Sequence, residues 1–167
     1  MKATEKEFLT LIEAHKRMLH KVSRMFVEDI DEQKDLFQEI VLQLWRSFDS
    51  FKSNSQFSTW MYRVAVNTSI TYIRKETKRP DRQRLHQSVD VADSEPQTEQ
   101  ELQLSHFYQA VHELNPIEKS LIFLFLEGLS HKQIGENIGI SEVNARVKLN
   151  RTKDKLQQII KKNGYEF

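Results

Sequence analysis

The chain has 167 residues, no cysteine and a net charge of +1 from 25 Lys/Arg against 24 Asp/Glu. That length fits one domain or two small ones, and without cysteine neither disulfides nor thiolate metal sites can form. Mixed charge at Lys2, Glu5, Lys6 and Glu7 argues against a signal peptide; the longest apolar run, Leu121 to Leu126, is far short of the ~20 residues of a membrane span. A soluble, cytoplasmic chain with no membrane insertion is expected.

Near-neutrality hides separate charge features. Residues 1–79 carry 14 basic against 11 acidic side chains, residues 80–101 carry 2 against 6, and residues 102–167 carry 9 against 7. From Arg146 to Lys162, the basic residues Arg146, Lys148, Arg151, Lys153, Lys155, Lys161 and Lys162 face only Asp154. Neutral totals therefore do not exclude a polyanionic partner.

With only four Gly and three Pro and apolar residues at helical spacing nearly throughout, the chain is predicted to be all-α. Thr4 and Glu7 form a capping-box pair ahead of a stripe made by Phe8, Leu11, Ile12, His15, Met18, Leu19, Val22 and Phe26. A second helix is expected from about Asp35, after the acidic run Glu28 to Glu32. Its core arc would be Phe37, Ile40, Val41, Leu44, Trp45 and Phe48, and the opposite arc Asp35, Gln38, Glu39, Leu42, Gln43 and Arg46. A leucine among acids and amides suits a modest protein interface, and equally a solvated surface with one stray leucine.

After a polar loop from Ser50 to Gln56 comes FSTWMYRVAVNTSITYIRK, Phe57 to Lys75. As a helix it gathers Met61, Tyr62, Ala65, Val66, Ile70, Tyr72 and Ile73 on one side and Trp60, Arg63, Asn67, Thr71 and Arg74 on the other. An exposed tryptophan beside two arginines can stack a base and hold phosphates at once. The alternative is a solvated helix with Trp60 turned inward.

The apolar period then stops. KRPDRQRLHQSVDVADSEPQTEQE, from Lys78 to Glu101, has two prolines and little to bury, as a flexible linker would. The expected division is a bundle over residues 1–79, a linker over 80–101 and a second unit over 102–167. Periodicity resumes at Leu102, Leu104, Phe107, Tyr108, Val111 and Leu114. Asn115, Pro116 and Glu118 occupy N-cap, first and third positions of the next helix, which Gly128 closes.

Ser130 and Gln133 open a short helix with Ile134, Gly135 and Ile138 inward. Gly139 turns the chain, Ile140 fills the corner, and Ser141 caps a long helix. This is a helix-turn-helix; an αα-turn in a structural bundle can imitate it. Its second helix buries Ala145, Leu149, Thr152, Leu156 and Ile159 and leaves Val143, Asn144, Arg146, Val147, Lys148, Asn150 and Arg151 outside. The early side chains of that face can reach base edges in a major groove, while Lys148, Arg151 and Lys155 suit phosphates.

In this order the three segments resemble the extracytoplasmic-function (ECF) group of sigma-70-type bacterial sigma factors, over nearly the whole chain. Asp35-Leu36-Phe37-Gln38-Glu39 with Leu44-Trp45 matches the helix by which that family binds the β′ clamp helices of RNA polymerase. The resemblance thus implies polymerase contact through Asp35, Gln38, Glu39, Leu42, Gln43 and Arg46. Phe57, Trp60, Tyr62, Arg63, Ala65 and Asn67 match the helix that recognises and melts the −10 element, implicating Trp60, Arg63, Asn67, Thr71 and Arg74. The family captures a flipped base with the preceding loop, which adds Ser55 and Gln56. Leu114 to Ser141 matches the −35 pattern, implying duplex contact through Ser141, Val143, Asn144, Arg146, Val147, Lys148, Asn150 and Arg151.

The implied partners are core RNA polymerase, through its β′ clamp helices and β flap, promoter DNA, and an anti-sigma protein as external restraint. Three departures stand out: Thr71 where the family often has aspartate, Gly135 where alanine is usual, and Val143-Asn144-Ala145-Arg146-Val147-Lys148 in place of GTVKSR. No base preference carries over. The alternative is a stand-alone helix-turn-helix regulator, dimeric on two-fold symmetric sites. Catalysis has little support: the six histidines show no HExxH-type spacing and no glycine-rich phosphate loop exists, so neither enzyme activity nor a cofactor is expected.

Overall fold

A computed structural model of the protein describes residues 5–51, 56–78 and 98–164. These residues fold as eight α-helices: α1 (Glu5–Ala14), α2 (Lys16–Phe26), α3 (Ile30–Ser47), α4 (Phe57–Thr77), α5 (Glu99–His112), α6 (Pro116–Leu126), α7 (His131–Ile138) and α8 (Glu142–Lys162). A 3₁₀ turn, Phe48–Ser50, follows α3. The N-terminal half packs α2, α3 and α4 on one another; the C-terminal half packs α5, α6 and α7 against α8.

Two boundaries differ from expectation because local hydrogen bonds outrank the apolar period. The first stripe is not one helix. His15, with φ −113° and ψ 13°, breaks it into α1 and α2, and its ring hydrogen-bonds the Leu11 carbonyl through Nδ1 at 2.8 Å. Next, α3 begins five residues ahead of Asp35, because the Asp29 carboxylate accepts the Glu32 N–H at 3.0 Å. Asp31 and Glu32 then sit in the first turn, where the helix dipole favours acids. Thr4 lies outside the described residues.

With α3 entered there, its inward stripe is Leu36, Ile40 and Leu44, all fully buried, with Phe48 beyond. Phe37 and Val41 are only half-buried, and Trp45, expected in the core, is 43% exposed with its ring 5.0 Å from Phe8. The inward face of α4 is Met61, Ala65, Val66 and Ser69. The Ser69 hydroxyl donates back to the Ala65 carbonyl at 2.7 Å, so the small polar residue is buried without cost of an orphan donor.

The C-terminal half follows its capping signals closely. Asn115 with Glu118, and Ser130 with Gln133, make reciprocal capping boxes; Ser141 accepts the Asn144 N–H at 3.1 Å. A third box, Thr98 with Glu101, starts α5 at Glu99, so the last residues expected in the linker are helical. Leu102 and Leu104, expected in the core, are about half exposed; Tyr108, Ala110, Val111 and Leu114 are buried instead. Residues 79–97, where the rest of the linker was expected, lie outside the described residues.

The two halves also touch each other, α2 and α4 meeting α5, α6 and α7. Glu127 accepts from Lys21 Nζ at 2.7 Å and from the Tyr62 hydroxyl at 3.1 Å. Lys119 Nζ donates to the Phe26 carbonyl at 2.9 Å, and His112 Nε2 bonds the Arg24 carbonyl at 2.7 Å. The Arg24 guanidinium lies over the Tyr108 ring, 4.0 Å from its centroid. Tyr62 meets Phe123 edge-on at 5.9 Å.

The helix-turn-helix corner depends on two glycines. Gly139 has φ 85°, the left-handed region in which Gly carries no steric penalty. At Gly135 a Cβ would stand 2.6 Å from the Ile140 carbonyl oxygen, so here the alanine usual in the family would push backbone against backbone. Gly135→Ala gains helix propensity of ~1 kcal/mol but overpacks by ~1–3 kcal/mol. Thermal melts should show a net loss of Tm of a few degrees, and a higher Tm would contradict this packing.

Candidate nucleic-acid and protein interfaces

On α3 the expected protein-binding arc faces solvent. Asp35, Gln38 and Arg46 are exposed, and Leu42 is 39% exposed. Glu39 and Gln43 are half-buried, the Gln43 amide donating to the Glu39 carboxylate at 3.0 Å. The exposure of Trp45, one turn beyond Leu42, adds a large apolar group to this surface that sequence reasoning had assigned inward. A helix face alone does not reveal that, because the true core stripe lies about one residue around from the inferred one.

On α4 the structure divides the inferred row. Arg63, Asn67, Thr71 and Arg74 are all exposed, at successive spacings of three or four that align them along one side. Trp60 is half-buried. Its ring packs 5.4 Å from Phe51, 5.5 Å from Phe57 and 6.3 Å from Phe48, so it closes an aromatic cluster at the start of the helix rather than standing free. Gln56 is the exposed N-cap of α4, its side chain making no capping bond; Ser55 lies outside the described residues.

These two surfaces adjoin. A groove of ≈ 580 Å³ runs between α3 and α4, with Asp35, Glu39 and Gln43 on one wall and Asn67, Thr68, Thr71, Tyr72, Lys75 and Glu76 on the other. Tyr62 is not part of this groove: half-buried and bonded to Glu127, its hydroxyl is pushed up to about 12, first by burial and then by the adjoining carboxylate. It stays a hydrogen-bond donor across the neutral range.

On α8, Val143, Asn144, Arg146, Val147, Lys148, Asn150 and Arg151 are all exposed, as is the N-cap Ser141. Ala145, Leu149, Thr152 and Leu156 are buried beneath them. The basic roster is smaller than the sequence suggested. Lys155, expected to suit phosphates, pairs with Glu118 at 2.8 Å, and Lys153 covers the Phe125 ring at 3.6 Å. Both tie α8 to α6, leaving Arg146, Lys148 and Arg151 as the cations of the exposed N-terminal part.

These placements separate structural from surface roles by stability. Trp60→Ala should cost about 2 kcal/mol, roughly half the loss typical of a fully buried aromatic. Asn67→Ala and Arg63→Ala should stay within ~0.5 kcal/mol. Chemical denaturation reads both, and a neutral Trp60→Ala would return the ring to the free face.

Residues 11–79 match the family model for sigma-70 region 2, and residues 106–156 that for sigma-70 region 4. The ECF RNA polymerase sigma factor SigW of Bacillus subtilis (strain 168) is 26% identical over 174 residues, covering 94% of this chain and 90% of the relative. The ECF RNA polymerase sigma-E factor of Haemophilus influenzae is 30% identical over 140 residues, covering 75% and 73%. Among solved structures, the sigma factor RpoE in complex with the anti-sigma factor NepR from Bartonella quintana aligns with a TM-score of 0.73 at 20% identity, over 93% of this chain and 98% of that one. CnrH in complex with the cytosolic domain of CnrY aligns at 0.68 and 17% identity, over 95% and 90%. Both structures share the all-helical fold. By these matches, the chain belongs to the extracytoplasmic-function RNA polymerase sigma factors of the sigma-70 family.

Proposed function

We propose that this sigma factor holds core RNA polymerase with the α3 arc and traps melted −10 DNA on α4, while α8 reads the −35 duplex. The arc comprises Asp35, Gln38, Glu39, Leu42, Gln43 and Arg46, with Trp45 extending its apolar part, and its partner is the β′ clamp helices. Arg63, Asn67, Thr71 and Arg74, with Ser55 and Gln56, face the unpaired strand; Trp60 braces the aromatic cluster behind them. In the major groove, Ser141, Val143, Asn144, Arg146, Val147, Lys148, Asn150 and Arg151 supply base and phosphate contacts, and the C-terminal unit meets the β flap.

The observation that carries this reading is the shared groove. Asp35, Glu39 and Gln43 of α3 face Asn67, Thr71 and Lys75 of α4 across it, so a strand held along α4 would run beside the polymerase contact. A duplex-only regulator has no need for that juxtaposition. Opening needs no bond made or broken: arginine and amide groups hold bases and phosphates that have left the stack. The units are residues 1–79 and the C-terminal unit that opens with α5 at Glu99, joined through the residues between them, and tethering two weak DNA contacts raises their joint affinity.

Among the described residues no helix is long and apolar enough to cross a membrane, and the site of action is the cytoplasm, with the chromosome. The solved relative bound to an anti-sigma factor supports such a protein as this chain's external restraint.

Co-elution with core polymerase and promoter-specific transcript formation test the whole assignment. Leu42→Glu should abolish co-elution, whereas Asn67→Ala should retain it and lose promoter opening, read by permanganate reactivity of unpaired thymines. Arg146→Ala should weaken −35 recognition by ~1–3 kcal/mol. If the wild-type chain neither co-elutes nor supports specific initiation, the reading fails.

A further inference from the structure

The outermost line of α8, near its start, is apolar. At 3.6 residues per turn, Val143 and Val147 lie about 40° apart and about half a turn from the buried stripe of Ala145, Leu149, Thr152 and Leu156. Val143 is 57% exposed and Val147 39%. Exposed polar and cationic side chains flank them, Arg146 and Asn150 on one side, Asn144 and Arg151 on the other.

Single exposed apolar residues are ordinary on a protein surface; two in one line, one turn apart at the summit of a helix, ask for a cause. Helix stability does not supply it, since valine is a poorer helix former than alanine or the straight-chain residues. Both positions also depart from the GTVKSR pattern, which has glycine and serine there. The apolar line is therefore a feature of this chain and not of the pattern it resembles.

The surroundings of the pair define what can cover it. From Ser141 to Arg151, the cations Arg146, Lys148 and Arg151 stand against one acid, Glu142, a balance suited to the phosphates that wall a major groove. On the floor of that groove the apolar group is the C5-methyl of thymine; the other base-edge groups are hydrogen-bond donors and acceptors. Valine can bond to none of these, and on a helix its methyls are held in one dominant rotamer, so contact costs little freedom. The two valines are separated by a rise of about 6 Å along α8, against ~3.4 Å per base step.

We propose that Val143 and Val147 are specificity residues of the −35 contact and read the methyl groups of thymines one to two base pairs apart. The inference deepens the assignment of α8 as the duplex-reading helix and rests on it. Asn144 and Arg146 take hydrogen-bonding base edges beside the pair. A cytosine in place of either thymine removes the methyl and sets an amino donor against a side chain that cannot accept from it, so the pair rejects as well as attracts.

The test uses the holoenzyme formed by the full chain with core polymerase, which first selects its −35 element from duplexes randomised there. Each thymine of the selected element is then replaced by deoxyuridine, which removes the methyl and keeps the pairing with adenine. Competition binding by wild type should weaken about four-fold for each methyl lost at one or two positions, the equivalent of ~0.8 kcal/mol for one buried CH₂. Val143→Ala with Val147→Ala removes only surface atoms and raises helix propensity; this variant should bind thymine and deoxyuridine templates alike. Wild type that binds every deoxyuridine template as well as the parent overturns the proposal, as does a double variant that still discriminates. Loss of co-elution with core polymerase in the double variant overturns it too, by making the pair a protein contact. A holoenzyme that selects an element but ignores its methyls sinks this proposal alone, whereas one that selects no element over random duplex removes the −35 assignment of α8 and the proposal with it.

Discussion

The burial of α4 along Met61, Ala65 and Ser69 is the constraint on which the rest of this protein depends. These residues lie four apart, and all three are fully buried, so they define one line of contact down the helix. Small side chains at two of the three leave room for α2 and α3 to pack on it. With that line turned inward, Arg63, Asn67, Thr71 and Arg74 have no choice but to face solvent. Turning α4 by half a turn would bury Arg63 and Arg74, at a desolvation cost far above what any single exposed contact returns. The same helix sends Tyr62 toward the C-terminal half, so one element sets the exposed polar row, one wall of the groove and one side of the contact between the halves.

The two halves obey different physics inside and between. Within each half the cores are aliphatic and aromatic, with Leu19, Phe26, Leu36, Ile40 and Leu44 on one side and Leu121, Phe123, Leu124, Ile134 and Leu149 on the other, all essentially without exposure. Between them hydrogen bonds to carbonyls and to Glu127, an ion pair and a cation over a ring join the apolar Tyr62–Phe123 contact. Burial holds His112 below the usual imidazole range against the opposing pull of its bond to Arg24, with Lys119 and Arg24 adding to the depression and Glu28 resisting it. Burial likewise lowers the Lys119 ammonium, with Glu28 opposing. Both groups therefore sit where their charged forms are disfavoured.

Legibility along the sequence followed the range of the interaction. Caps act within three residues, and the boxes at Asn115 and Ser130, the Ser141 cap and the Gly139 turn stand where the residues placed them. The α8 faces were legible because a 21-residue amphipathic helix packed on one side gives a long, unambiguous period. The first stripe misled for the opposite reason: its period runs straight through His15, and only a ring-to-carbonyl bond interrupts it. On α3 the period was read with the wrong phase, since Leu36, Phe37, Val41 and Trp45 are all apolar and only the neighbouring helices decide which of them is covered. Leu102 and Leu104 fell to the same ambiguity at the free end of α5.

By itself the sequence determined the helical class, the helix-turn-helix at the C-terminal end and the residues available to each face, because periodicity and capping are local properties of the chain. Tertiary structure alone decided that Trp60 braces an aromatic cluster, that Trp45 is surface, that Lys153 and Lys155 contact α6, and that Glu127 joins Lys21 to Tyr62. Each of those outcomes pairs residues far apart in the chain, Lys21 and Glu127 by 106 positions. No short-range pattern encodes such a meeting; it exists only once the helices have been brought together by their buried faces.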